Sequence, residues 1–207
     1  MKPTVSKISF YILLCAMAPC NHAFPQANWT FQKEKDGIKV YTRPSKASKF
    51  NEIKAEFDIQ TSSAKFISVI SDVDKYPVWV YGTKTTKLCE RLNNEEIIYH
   101  SEINAPWPFS NRDFYSKLKI HPDPGAKAIT ITATGLPSYK PVENGIVRVP
   151  YLRSYWVVTT VNQSTLHVVY TTNIDAGGAV PAWLVNLFST NGPIESFSKL
   201  RERCKLE

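Results

Sequence analysis

The sequence predicts an α+β fold in which one antiparallel sheet is covered by a single long C-terminal helix. Three observations carry that expectation. Apolar and polar residues alternate over several separate stretches, the pattern of strands with one face buried and one in water. Helical periodicity occurs in only two places, after Thr61 and after Val180. From Trp29 onward no linker, repeat or shift of composition divides the chain, so it reads as one domain over residues 28–207. The 207 residues are 43% apolar and 21% charged, a globular composition long enough to bury a core without disulfides or metals.

Residues 1–23 read as a signal peptide. Lys2 and Lys7 form a basic start, and Ile8 to Cys20 is an almost unbroken apolar run of 13 residues. A membrane span needs roughly 17–25 such residues, so the run is too short. Cleavage is expected between Asn21 and Asn28. Lipid modification at Cys20 and retention as an uncleaved anchor are the alternatives. The segment has the style of a bacterial export signal, which places the mature chain in the periplasm. Loss of Lys2 and Lys7 leaves 23 basic residues against 18 acidic ones, a charge of +5. Cys15 and Cys20 go with the segment, leaving Cys89 and Cys204 as a pair that an oxidising compartment could join or leave free.

The mature chain opens with Trp29 to Arg43, two short strands joined at Asp36-Gly37, the strongest short hairpin signal. In Phe50 to Ile59, Ile53, Ala55, Phe57 and Ile59 face one way while Glu52, Lys54, Glu56 and Asp58 face the other. Thr61-Ser62 then offers a helix cap, and Phe66, Val69, Ile70 and Val73 follow at helical spacing. Pro77 is expected to stop that helix. A meander of five or six strands comes next. Ile97, Tyr99, Ser101 and Ile103 share a face, as do Phe114, Ser116, Leu118 and Ile120. So do Ile129, Ile131 and Ala133, and Leu166, Val168, Tyr170, Thr172 and Ile174. Val147 to Val161 reads as one long strand, with Pro150 marking an edge or bulge near its start. The final helix carries Val180, Trp183, Leu184, Leu187, Phe188, Ile194, Phe197, Leu200 and Cys204 on one stripe, and Asn191-Gly192-Pro193 predicts a kink or break within it.

Much chemistry is missing. No phosphate-binding glycine loop, nucleophile elbow or HExxH occurs. His100, His121 and His167 stand 21 and 46 residues apart and read as ordinary strand or surface residues, so no metal and no cofactor is expected. The basic residues Lys33, Lys35, Lys39, Arg43, Lys46, Lys49 and Lys54 are interleaved with Glu34, Asp36 and Glu52. They read as a solvated hairpin face, with no nucleic-acid partner.

Ala105-Pro106-Trp107-Pro108-Phe109-Ser110-Asn111 is an apolar loop stiffened by two prolines. Such a loop either packs into the core or stands at a ligand mouth. Arg112-Asp113 follows directly. Neighbours in a strand point to opposite faces, so one of the two points inward, and a buried charge needs a partner. Arg112 is expected to pair with a buried acid.

These residues together resemble the START domain family of lipid transfer proteins. The resemblance rests on Trp29 with Asp36 to Tyr41, on Pro106-Trp107-Pro108-Phe109-Ser110-Asn111-Arg112-Asp113-Phe114, on Arg148 with Tyr155-Trp156, and on Asp175 to Leu184. It covers roughly Trp29 to Arg203. It implies a helix-grip fold, a curved antiparallel sheet wrapped around a long C-terminal helix, enclosing an apolar tunnel for one lipid. It implies binding or transfer without a catalytic step, transient contact with a membrane surface, and a monomer. Residues 105–111 and 180–188 would then form the tunnel mouth, with Trp107 and Trp183 closing it. The ligand-binding residues expected are Tyr99, Ser101, Trp107, Phe109, Arg112, Ser116, Tyr170, Thr172, Val180, Trp183, Leu184 and Leu187. An enzyme on the same fold, a cyclase or hydrolase of a hydrophobic substrate, is the second reading. An interaction module with a filled core is the third.

Overall fold

The computed structural model describes residues 28–205 except 124, 126, 182–184 and 186. The expected signal segment, Trp183 and Leu184 lie outside the described residues, and the Leu187 side chain is likewise not described.

The chain begins with the predicted hairpin, β1 (Thr30–Lys35) and β2 (Ile38–Arg43). Asp36 and Gly37 both have positive φ, 52° and 70°, as a tight two-residue hairpin turn requires. β3 (Glu52–Gln60) follows, with Ala55, Phe57 and Ile59 buried on one face. Ser62 caps α1 (Ser63–Ser71), its hydroxyl accepting from the Lys65 N–H at 3.2 Å. Phe66, Val69 and Ile70 form the buried face of this helix. The helix ends at Ser71, well before Pro77. Pro77 instead sits in the first turn of the short α2 (Tyr76–Trp79), where a missing N–H costs nothing.

Seven strands follow: β4 (Thr83–Arg91), β5 (Glu96–Ile103), β6 (Arg112–Asp123), β7 (Ala128–Gly135), β8 (Val147–Arg148), β9 (Tyr151–Asn162) and β10 (Thr165–Asp175). β4 has no counterpart in the sequence reading. It is the last strand at one edge of the sheet, and most of its residues are exposed, so it needs no apolar alternation. The stretch Val147 to Val161 is two strands rather than one. Pro150 separates β8, which runs parallel to the start of β6, from β9, which lies between β7 and β10.

All ten strands belong to one sheet: nine run in the order β1-β2-β3-β10-β9-β7-β6-β5-β4, all antiparallel, and the short β8 pairs with β6 in parallel beside this path. The curved sheet grips α3 (Gly192–Arg203). Asn191-Gly192-Pro193 does not split the final helix. A π-helical stretch, Leu187–Asn191, runs directly into α3, and Pro193 occupies its first turn. Ile194, Phe197 and Leu200 are the buried face of α3. Phe197 fixes it to the sheet: its ring stacks on Phe57 at 4.6 Å and meets Tyr170 and Trp156 edge-on at 5.3 and 5.5 Å. Cys89 and Cys204 are both free thiols, Cys89 exposed and Cys204 buried.

Candidate ligand cavity

Between the sheet and α3 the side chains do not close up. They leave a cavity of about 360 Å³. The sheet lines it through Tyr99, Ser101, Arg112, Phe114, Leu118, Tyr170 and Thr172, and α3 through Pro193, Ser196 and Phe197. The alternation of each strand explains the lining. Arg112, Phe114 and Leu118 lie at even spacing along β6, and Tyr170, Thr172 and Ile174 do the same along β10.

Several hydroxyls of the wall are already paired, whereas Thr83 Oγ1 and the Trp79 indole Nε1, both of lining residues, are buried with no hydrogen-bond partner among the described residues. Ser154 Oγ lies 2.8 Å from Thr172 Oγ1 and 3.3 Å from the Tyr170 hydroxyl. Ser101 Oγ lies 3.2 Å from Thr86 Oγ1. Tyr76 donates to the Ile70 carbonyl at 2.7 Å. Burial pushes the phenols of Tyr76, Tyr99 and Tyr170 above their ordinary range, so all three stay neutral.

Arg112 is the one charged side chain of the lining among the described residues. It is 8% exposed and lines the cavity, yet it has no acid partner among the described residues. Its one hydrogen bond there runs from Nη1 to the Ser110 carbonyl at 2.6 Å. On β6 it stands between Ile103 of β5 and Val147 of β8, so both lateral neighbours are apolar. Burial alone pulls its pKa below the ordinary arginine value. The expected pairing of Arg112 with a buried acid is therefore corrected. The acid next to it, Asp113, points to the opposite face of the strand. There Arg148 holds it in a bidentate pair, Nε to Oδ1 at 2.8 Å and Nη2 to Oδ2 at 2.9 Å, and His100 Nε2 lies 3.0 Å from Oδ2. Arg148 also donates to the carbonyls of Pro137, Lys140 and Pro141, which ties residues 137–141 to the outer face of the sheet.

The other expected site residues separate into groups. Tyr99, Ser101, Tyr170, Thr172 and Val180 line the cavity. Ser116 faces inward but is fully buried behind it, donating to the Thr134 carbonyl at 3.1 Å. Phe109 lines a shallower depression with Lys49, Phe50, Val180, Pro181 and Val185. Phe50, Val180 and Val185 belong to both spaces, so this depression is the outer end of the cavity. Trp107 takes no part in closing it. The indole is 93% exposed, on a loop whose Trp107–Pro108 peptide bond is cis. The packed pair of indoles is corrected on that ground: Trp107 points into solvent.

Several lining residues escaped the sequence reading. Leu152, Ser154 and Trp156 alternate along β9, a signal that was present and unused. Tyr76, Trp79 and Tyr81 come from the turn between α1 and β4, where no periodicity marks them. Gly82 gives this corner its shape. Its φ is +72°, and a Cβ there would stand 2.8 Å from the Phe188 ring.

A family model described as START domain matches residues 23–207. An uncharacterized protein of Pseudomonas aeruginosa is 28% identical over 174 residues, 84% of this chain and 85% of its own length. The phosphatidylcholine transfer protein of Mus musculus is 24% identical over 188 residues, 88% of this chain and 86% of its own. Among solved structures, the STAR-related lipid transfer protein of Xanthomonas axonopodis superposes with a TM-score of 0.77 at 26% identity, covering 86% of this chain and 99% of that one. An aromatase/cyclase from Streptomyces shares the fold alone, with a TM-score of 0.52 at 11% identity over 74% of this chain and 92% of its own.

Proposed function

This chain belongs to the START domain family, and on that premise we propose that it carries one hydrophobic ligand in its internal cavity and transfers it within the cell envelope. The observation that carries the reading is the cavity itself: a largely apolar space of about 360 Å³ between sheet and helix, with one buried cation that has no acid partner among the described residues. A space of that size would cost several kcal/mol of lost packing if it served no ligand. The relatives above 20% identity whose names state an activity are named as lipid transfer proteins, and the aromatase/cyclase, at 11% identity, shares the fold alone.

Carriage is favoured over catalysis by the lining. Among the described residues it contains no carboxylate, imidazole or thiol, and its phenols are held neutral. General acid or base chemistry near neutral pH has no group to use there. An interaction module with a filled core is disfavoured by the empty volume.

The setting is also part of the proposal. The basic and apolar segment at residues 1–23 supports export to the periplasm. The exposed Trp107 beside the outer end of the cavity supports brief docking of that end on a membrane, where an indole prefers the interface. Native mass spectrometry of the chain purified from its host, without detergent, tests the reading. A retained hydrophobic mass, one per chain, is expected. A protein that stays ligand-free there and after incubation with total membrane lipid contradicts it.

A further inference from the structure

The shape of the cavity and the place of its charge narrow the ligand, given the carrier reading above. Along β6 the lining runs from Arg112 to Leu118. Six residues of strand span about 20 Å. An extended acyl chain can lie along that length. The length matches, since a chain reaching half of the about 30 Å bilayer core is about 15 Å long.

The two ends differ in character. Arg112 stands where β6 leaves the Ala105–Asn111 loop, beside the outer depression lined by Phe109 and Val180. The far end is formed by Leu118, Ala133, Trp156 and Phe197, all apolar. A guanidinium has five donors in a rigid fork, and Arg112 uses one hydrogen bond, to the Ser110 carbonyl. No acid lies opposite it among the described residues. A buried cation left so is costly unless an anion comes to it. Ser154, Thr172 and Tyr170 pair with one another and Ser101 with Thr86, so the unpaired polar atoms of the wall besides Arg112 are neutral ones, Thr83 Oγ1 and Trp79 Nε1, among the described residues.

We propose that the ligand is an amphiphile with an anionic head, the head paired with Arg112 near the outer end and an acyl chain lying along β6 toward Phe197. A fatty-acid carboxylate and a lysophospholipid phosphate share this chemistry, and both suit the bidentate fork of an arginine.

The test uses the full processed chain, stripped of lipid, and four probes of one chain length: oleate, oleoyl lysophosphatidate, oleyl alcohol and dioleoyl phosphatidylglycerol. Binding is read by native mass spectrometry and by displacement of a fluorescent stearate. One oleate or one lysophosphatidate per chain is expected, at least tenfold tighter than oleyl alcohol. The tighter of the two anions identifies the head. Arg112→Leu should reduce that tenfold preference to near unity with oleyl alcohol unaffected, and Arg112→Lys should retain part of it. Ala133→Phe, which fills the far end, should shift the preference from oleate toward laurate. Equal binding of oleyl alcohol and oleate in the unaltered protein overturns the anionic head. That result leaves the carrier reading standing, whereas binding of none of the four removes both.

Discussion

Arg112 and Asp113 are consecutive residues of β6 whose side chains serve opposite faces of the sheet. Asp113, 2% exposed, is clamped by Arg148 at 2.8 and 2.9 Å, while Arg112 enters the cavity with no acid partner among the described residues. The strand's two-residue period imposes the division, since adjacent side chains leave opposite faces. One charge is therefore paired on the outer face of the sheet and its neighbour lines the cavity.

The division predicts a contrast in stability. Arg148→Met leaves a buried carboxylate without its main partner and should cost about 3–5 kcal/mol. Arg112→Leu orphans no carboxylate and should change stability by no more than about 1 kcal/mol. Urea unfolding of the ligand-free proteins measures both. A loss at Arg112 as large as that at Arg148 would show that the two arginines have been assigned the wrong way round.

Acid stability should follow Asp113. Burial by itself raises this carboxyl, and hydrogen bonds from Arg148 and His100 outweigh the effect and hold it below its ordinary value. A carboxyl depressed in the folded state contributes stability that is complete above its unfolded value, near ~4, and is lost as pH falls through the folded value. Unfolding free energy should therefore drop below about pH 4. Asp113→Asn should be less stable than wild type at pH 6 and show a flatter decline from pH 5 to pH 2. Parallel declines in the two proteins would assign the acid sensitivity elsewhere.

Trp107 should matter to membranes and not to folding. Its side chain is almost wholly in water, so Trp107→Ala should leave Tm within about 2 °C of wild type. Its removal should weaken cosedimentation with anionic vesicles severalfold, and rising salt should weaken what remains. Unchanged vesicle binding in the variant would move the membrane contact to another face.

Processing is open to direct measurement. The mass of the protein isolated from its host should correspond to a first residue between Asn21 and Asn28. A chain beginning at Met1 would remove the signal-peptide reading, and a diacylated Cys20 would replace it with a lipid anchor.

Strands with one wet face were legible in the sequence because burial on the other face imposes alternation. β3, β5, β6, β7 and β10 carry that pattern in their residues. β4 lies at the sheet edge with most side chains in water, so burial left no mark on Thr83 to Arg91. The β8–β9 division is equally silent, because Val149 and Leu152 on either side of Pro150 are both buried and read as one run. The charge pairs were legible only in part. That Arg112 and Asp113 diverge follows from strand geometry. That Asp113 meets Arg148 depends on the parallel register of β8 beside β6, which brings together residues 35 apart in sequence. Trp107 misled for a simpler reason: a large apolar side chain predicts burial, and this one lies in solvent at the outer end of a cavity.

The central claim is that the chain takes a lipid from one membrane and delivers it to another. Stopped-flow transfer of a fluorescent fatty acid between donor and acceptor vesicles tests it most directly. The transfer rate should rise in proportion to the concentration of the processed wild-type protein, and Arg112→Leu, folded by circular dichroism, should abolish most of the increase. A rate equal to spontaneous transfer at every protein concentration would contradict the account.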